Sequence, residues 1–173
     1  AAIEQRPEIA KKCEFFGMFG SFYLGYDGSK EISAEYNIAH NVEAFRTVIG
    51  ADWQSITLTP LDTCGVVFLS GEQYQEIWRA TSDPLLNAVI ENYCIWAPRV
   101  PWIHCDFFTQ KSSTLFDDVA VYMAYDGSLL NYETLRFDVS DEGKTLVDLN
   151  GKYLAQVATN WKDIKAFGTF LTD

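Results

Sequence analysis

The segment Trp96-Ala97-Pro98-Arg99-Val100-Pro101-Trp102-Ile103-His104-Cys105-Asp106-Phe107-Phe108 gathers the side chains of this chain best suited to bind something. It holds two Trp, an Arg and one of the chain's two His. Pro98 and Pro101 lack the amide proton that a sheet ladder uses, so the segment reads as a stiff loop or the start of an edge strand. Stiff loops rich in rings form pocket mouths and interface anchors. Arg99, between two indoles, can stack on a ring or hold a carboxylate. His104 and Asp106 stand at i and i+2, which on a strand puts both on one face. A metal there would need a third ligand such as His40. With two imidazoles and no Cys-x-x-Cys pair, no metal is assigned. The candidate ligand-binding residues are Trp96, Arg99, Trp102 and His104, joined by Tyr36. The competing reading is that this segment plugs one end of a barrel with its own rings.

Other chemistry is sparse. There is no Gly-x-Ser-x-Gly elbow and no P-loop, and Gly17, Gly20 and Gly25 have the wrong spacing for a dinucleotide loop. His104 and Cys105 are neighbours, which on a strand point to opposite faces and cannot form a nucleophile pair. Glu31 and Glu35, like Glu72 and Glu76, stand four apart. Glycosidases set two carboxylates roughly 5–10 Å apart across a cleft, but these four read as surface acids. No catalytic residue and no cofactor is assigned.

The elements that must position these residues read mainly as strands. Tyr26-Asp27-Gly28-Ser29 recurs as Tyr125-Asp126-Gly127-Ser128, and Asn150-Gly151 follows later. Such dipeptides tolerate φ > 0 at both centres of a tight hairpin turn. Ile32, Ala34, Tyr36 and Ile38 alternate with polar residues, as do Tyr74, Trp78 and Ala80, broken only by Glu76. Further strands are expected near 53–59, 64–69, 102–109, 118–125, 130–139, 145–149 and 153–157, with another turn at Asp141-Glu142-Gly143. Helices are expected at Pro7, over Asn41–Ile49 capped by Asn41, from Asp83-Pro84, and after Asn160 with Asp163. Leu85, Leu86, Val89, Ile90 and Tyr93 form one apolar stripe that predicts a core helix.

This pattern predicts a single mainly β domain over 1–173: an antiparallel barrel or strongly curved sheet of about eight strands with short flanking helices. The alternative is an α+β curved sheet. In layout the barrel resembles the lipocalin and calycin barrels, although the Gly-x-Trp signature of lipocalins is replaced by Gly20-Ser21-Phe22.

Composition narrows the partners. The net charge is −11, aromatic residues make up 15%, and the longest basic run is Lys11-Lys12. That disfavours nucleic acid, and no apolar run approaches the roughly 20 residues of a membrane span. Four cysteines predict at least one disulfide, with Cys94–Cys105 favoured. Together with Ala1-Ala2 as a processed terminus, this points to secretion or an organelle lumen. The function expected is a non-catalytic protein holding an apolar or aromatic molecule, of lipid or pigment type, in its cavity. A non-catalytic subunit docked in a protein complex is the second reading. An isomerase or dehydratase using His40, His104, Asp106 and Tyr36 is the third.

Overall fold

The computed structural model describes residues 1–100 and 110–173. Its elements run α1 (Ala2–Gln5), a 3-10 helix (Pro7–Lys12), β1 (Glu14–Met18), a 3-10 turn (Tyr26–Gly28), α2 (Tyr36–His40), α3 (Val42–Ile49), β2 (Ser55–Thr59) and α4 (Leu61–Cys64). They continue with α5 (Gly71–Arg79), α6 (Pro84–Trp96), a 3-10 turn (Ala97–Arg99), α7 (Phe116–Tyr125), β3 (Leu130–Val139), β4 (Thr145–Val147), β5 (Tyr153–Trp161) and α8 (Ile164–Thr172). The strands form one open sheet in the order β1-β2-β5-β3-β4. β1, β2 and β5 are parallel, and β3 runs antiparallel to both β5 and β4. This α/β sheet replaces both the eight-stranded, lipocalin-like barrel and the α+β curved sheet.

The chain divides into two compact units. The first comprises Ala1–Val66 with Phe116–Lys162 and contains the whole sheet. Its core joins Ile38, Phe45 and Ile49 of α2 and α3 to Leu58, Leu135, Phe137, Val139, Tyr153, Ala155 and Val157. These strand residues alternate with exposed ones along β3, the pattern of a sheet with one wet face. In the parallel part, Thr57 and Thr59 are buried as well as Leu58. Helix α7 lies against β1 and β2, and α4 against β5. The second unit, Val67–Leu115 with Asp163–Asp173, packs α5 against α6 and α8. Gln73 of α5 donates to the Thr169 hydroxyl of α8 at 3.4 Å.

Two expected strands are helices, and the reason is visible in the residues. Val119, Val121, Met123 and Tyr125 alternate as a strand would. The buried set, however, is Val119, Tyr122 and Met123, at i, i+3 and i+4, while Val121 and Tyr125 are 71% and 80% exposed. In α5, Tyr74, Ile77 and Trp78 share the same spacing, and Glu76 faces solvent instead of interrupting a strand. The stretch 32–38 is a loop running into α2, and 64–69 is the end of α4 and a loop. The strand expected at 102–109 lies outside the described residues.

The expected hairpin tips are turns of other kinds. Asp27 and Gly28 do adopt positive φ, 56° and 72°, but inside a 3-10 turn. Asp126-Gly127 ends α7: both amides donate to the Tyr122 carbonyl, and Gly127 takes the left-handed conformation that closes helices. Asn150-Gly151 separates β4 from β5, which both pair with β3 and not with each other. The hairpin of the sheet is β3–β4, turned at Asp141–Gly143. Asn41, Asp83 and Asp163 cap their helices through side-chain oxygens. The apolar stripe of α6 is not core: none of its residues is buried, and Leu85 and Val89 are 73% and 53% exposed. Among the described residues no helix is long and apolar enough to cross a membrane.

Cys13, Cys64 and Cys94 are free thiols, so the bridge expected at Cys94 is not formed there; Cys105 lies outside the described residues. Thiol titration of the unfolded, unreduced protein is expected to count all four cysteines. Gly143 stands at φ 87°, with a Cβ placed 2.8 Å from the Ala39 Cα. Gly143→Ala is therefore expected to cost more than about 1 kcal/mol, read as a lower urea midpoint at unchanged m-value.

Candidate functional site

In open α/β sheets, ligands bind beyond the carboxyl ends of the parallel strands. Here β1 ends at Met18 and β2 at Thr59, and each leads into a segment held by a buried carboxylate. Asp62, 5% exposed, accepts the amides of Phe22 (2.9 Å), Tyr23 (2.7 Å) and Leu24 (3.1 Å). Ser21, fully buried, donates its amide to Thr145 Oγ1 and accepts that hydroxyl's proton at its carbonyl. The Ser21 hydroxyl donates to the Leu24 carbonyl at 2.7 Å and accepts the Ser33 amide at 2.9 Å. The loop after β1 is thus fixed by side chains rather than by a ladder.

That loop delivers Glu35, 1% exposed. Glu35 caps α2: its carboxylate accepts the amides of Asn37 (2.8 Å) and Ile38 (3.2 Å), with Gly20 N–H at 3.5 Å. Burial pushes the Glu35 carboxyl above its ordinary value; the three amides oppose the shift and the charge of Asp117 adds to it. Asp117 stands exposed in the first turn of α7. Cys64, at the end of α4, is fully buried; burial raises its thiol strongly, and the charges of Glu35 and Asp117 also raise it. Tyr26 completes the group. Burial raises its phenol, as do the nearby Glu35 and Cys64, while the hydroxyl accepts the Tyr36 amide at 2.8 Å. Asn37, exposed in the first turn of α2, donates its side-chain N–H to Met18 at the end of β1.

Glu35 and Asn37 therefore stand where β1 ends, and the charge of Asp117, at the start of α7, acts on the Glu35 carboxyl. The exposed Asp117 carboxylate and Asn37 carboxamide can accept hydrogen bonds from hydroxyl groups, and the negative charge repels anions. They also stabilise positive charge developing on a bound molecule. Among the described residues no group of three His, Cys, Asp or Glu is placed to hold a metal ion.

Of the residues singled out in the sequence, Tyr36 lies at the start of α2, 61% exposed, its ring 4.1 Å from that of His40. Trp96 ends α6, half exposed and stacked on Tyr93. Arg99 is exposed in the turn that follows. Trp102 and His104 lie outside the described residues. Tyr36 directly follows Glu35 in the first unit, whereas Trp96 and Arg99 belong to the second. Glu35 was read as a surface acid because the alternation over 32–38 hid the helix start that it caps. Asp117 carried no signal beyond being an acid before an apolar run.

The model of the inosine-uridine preferring nucleoside hydrolase family matches residues 1–168. Solved structures with the same fold include a plant nucleoside hydrolase at 20% identity and TM-score 0.72, covering 99% of this chain and 56% of that one. An inosine-uridine preferring nucleoside hydrolase from Bacillus anthracis matches at 18% and 0.67, covering 99% and 55%. A purine-preferring ribonucleoside hydrolase from Gardnerella vaginalis matches at 21% and 0.69, with the same coverage of 99% and 55%. The chain spans little more than half the length of these proteins. No curated protein sequence matches it. The family match overturns the reading of a non-catalytic protein, whether holder of an apolar lipid or pigment or docked subunit: the family is named for hydrolysis of nucleosides, which are polar and carry ribose.

The raised Glu35 carboxyl has a consequence for stability. A raised folded pKa means that the folded state binds the proton more tightly than the unfolded state, whose value is near 4.5. The stabilisation is complete below that value and is lost as pH rises through the folded pKa. Glu35→Gln, which cannot ionise, is expected to remove this dependence. Urea midpoints of the two proteins measured across the acidic range are expected to diverge in favour of the variant as pH rises.

Proposed function

The chain belongs to the inosine-uridine preferring nucleoside hydrolase family, and we propose that its acidic site holds the ribose of a nucleoside for hydrolysis of the N-glycosidic bond. The observation that carries this reading is the placement of Glu35 and Asn37 at the carboxyl end of β1, with the charge of Asp117 acting on the Glu35 carboxyl. A ribose presents neighbouring hydroxyls, and carboxylate and carboxamide oxygens accept from them.

In the reaction the bond from ribose C1′ to the base nitrogen breaks, and water adds its oxygen to C1′. The base leaves with a proton, and the sugar carries the new hydroxyl. Positive charge grows on the sugar ring as the bond lengthens, as in other glycoside cleavages. The carboxylates of Asp117 and Glu35 supply negative potential where that charge grows. The same potential opposes a phosphate, which favours nucleosides over nucleotides as substrates.

Calorimetry of the full chain with inosine and uridine, together with a reducing-sugar assay, tests this reading. Binding of either nucleoside is expected to be stronger than binding of its 5′-monophosphate. Asn37→Ala is expected to weaken nucleoside binding about tenfold, the loss of one or two hydrogen bonds. Absence of both nucleoside binding and ribose release refutes the assignment.

A further inference from the structure

Tyr26 touches both helices that carry the acids. Its hydroxyl accepts the amide of Tyr36, the first residue of α2, at 2.8 Å. Its ring meets that of Phe116, the first residue of α7, edge-on, with centroids 6.5 Å apart and planes at 82°. Glu35 directly precedes the one residue, and Asp117 directly follows the other. The first three amides of α2 are held by Tyr26 and Glu35 alone: Tyr36 by the phenol, Asn37 and Ile38 by the carboxylate.

The turn that presents Tyr26 is strained and closed. Asp27 is the only non-glycine among the described residues with positive φ. Gly25 admits no side chain, because a Cβ there falls 2.3 Å from the Glu31 carbonyl oxygen. The Gly25 amide donates to Ser29 at 2.8 Å, and the Gly28 amide returns to Gly25 at 3.2 Å. Strain of this kind persists only where the surroundings over-determine it, and it concentrates beside functional residues.

We propose that Tyr26 is a positioning residue, joining α2 to α7 so that Glu35 and Asp117 keep one fixed separation. Its phenol oxygen anchors the first turn of α2, and its ring anchors the start of α7. The purpose of that separation, gripping a ribose, rests on the function proposed above; the positioning itself does not.

Carbon-13 NMR titration of the Glu35 carboxyl in the full chain tests the coupling without any ligand. Asp117→Asn is expected to lower the Glu35 midpoint, since a like charge is removed. In a Tyr26→Phe background that drop is expected to shrink by about half, because α2 loses an anchor and the two acids no longer keep a fixed distance. An equal drop in both backgrounds overturns the proposal. Should Tyr26→Phe not fold, Phe116→Leu removes the contact at the other end and is expected to give the same shrinkage; an unchanged drop there overturns the proposal equally. A chain that binds neither inosine nor uridine, yet loses the coupling in Tyr26→Phe, supports the positioning role while refuting only the nucleoside assignment.

Discussion

The first unit depends on the way the buried Asp62 carboxylate takes three consecutive backbone amides, those of Phe22, Tyr23 and Leu24. The loop after β1 has no ladder to satisfy its polar groups, and an unpaired amide at such depth costs on the order of 1–3 kcal/mol. One side chain removes that cost at the buried Phe22 amide and also satisfies the part-buried amides of Tyr23 and Leu24. It also ties the end of β1 to the end of β2, because Asp62 sits in α4 directly after β2. Ser21 and Thr145 repeat the device one residue earlier, joining the same loop to β4. With the loop held at these points, Glu35 arrives at the head of α2 in a single orientation. The acidic site is a product of the loop's need to satisfy its amides.

Local chemistry was legible in the sequence where one residue decides it. Asn41 and Asp83 cap helices through the oxygens that their types supply, whereas the capping box read from Asn160 is replaced by Asp163 as the cap, with Asn160 lying in β5. The strands over 130–139 and 153–157 show their alternation because β3 and β5 have one buried face and one wet face. Asp27-Gly28 did adopt positive φ. What neighbouring residues do not encode is the partner. A left-handed pair serves a helix end, as at Gly127, as well as it serves a hairpin. Aromatic and β-branched residues spaced at both two and three to four positions, as in 119–125, fit either period until tertiary burial selects one.

The site was less legible than the fold, for a related reason. Its residues come from four separate segments: Tyr26 to Asn37, Asp62 to Cys64, Phe116 and Asp117, and Thr145. No spacing within one segment announces them. The aromatic stretch around Trp96 drew attention by density alone, whereas Glu35 looks ordinary until its burial is seen. A buried acid that caps a short helix has the composition of a surface acid; only depth separates the two.

The strand order β1-β2-β5-β3-β4 also sets a timetable. β5, the fifth strand in sequence, lies in the middle of the sheet, and Thr57 finds its neighbour at Gln156. During synthesis, β1–β2 and β3–β4 emerge as two separate ribbons, each with an open edge waiting for the same insertion. The sheet closes only when the ribosome has delivered residues beyond 150. Sheets completed by such distant pairing form slowly, and their open edges are where nascent chains associate wrongly. The two open edges are therefore exposed together in the interval before β5 appears.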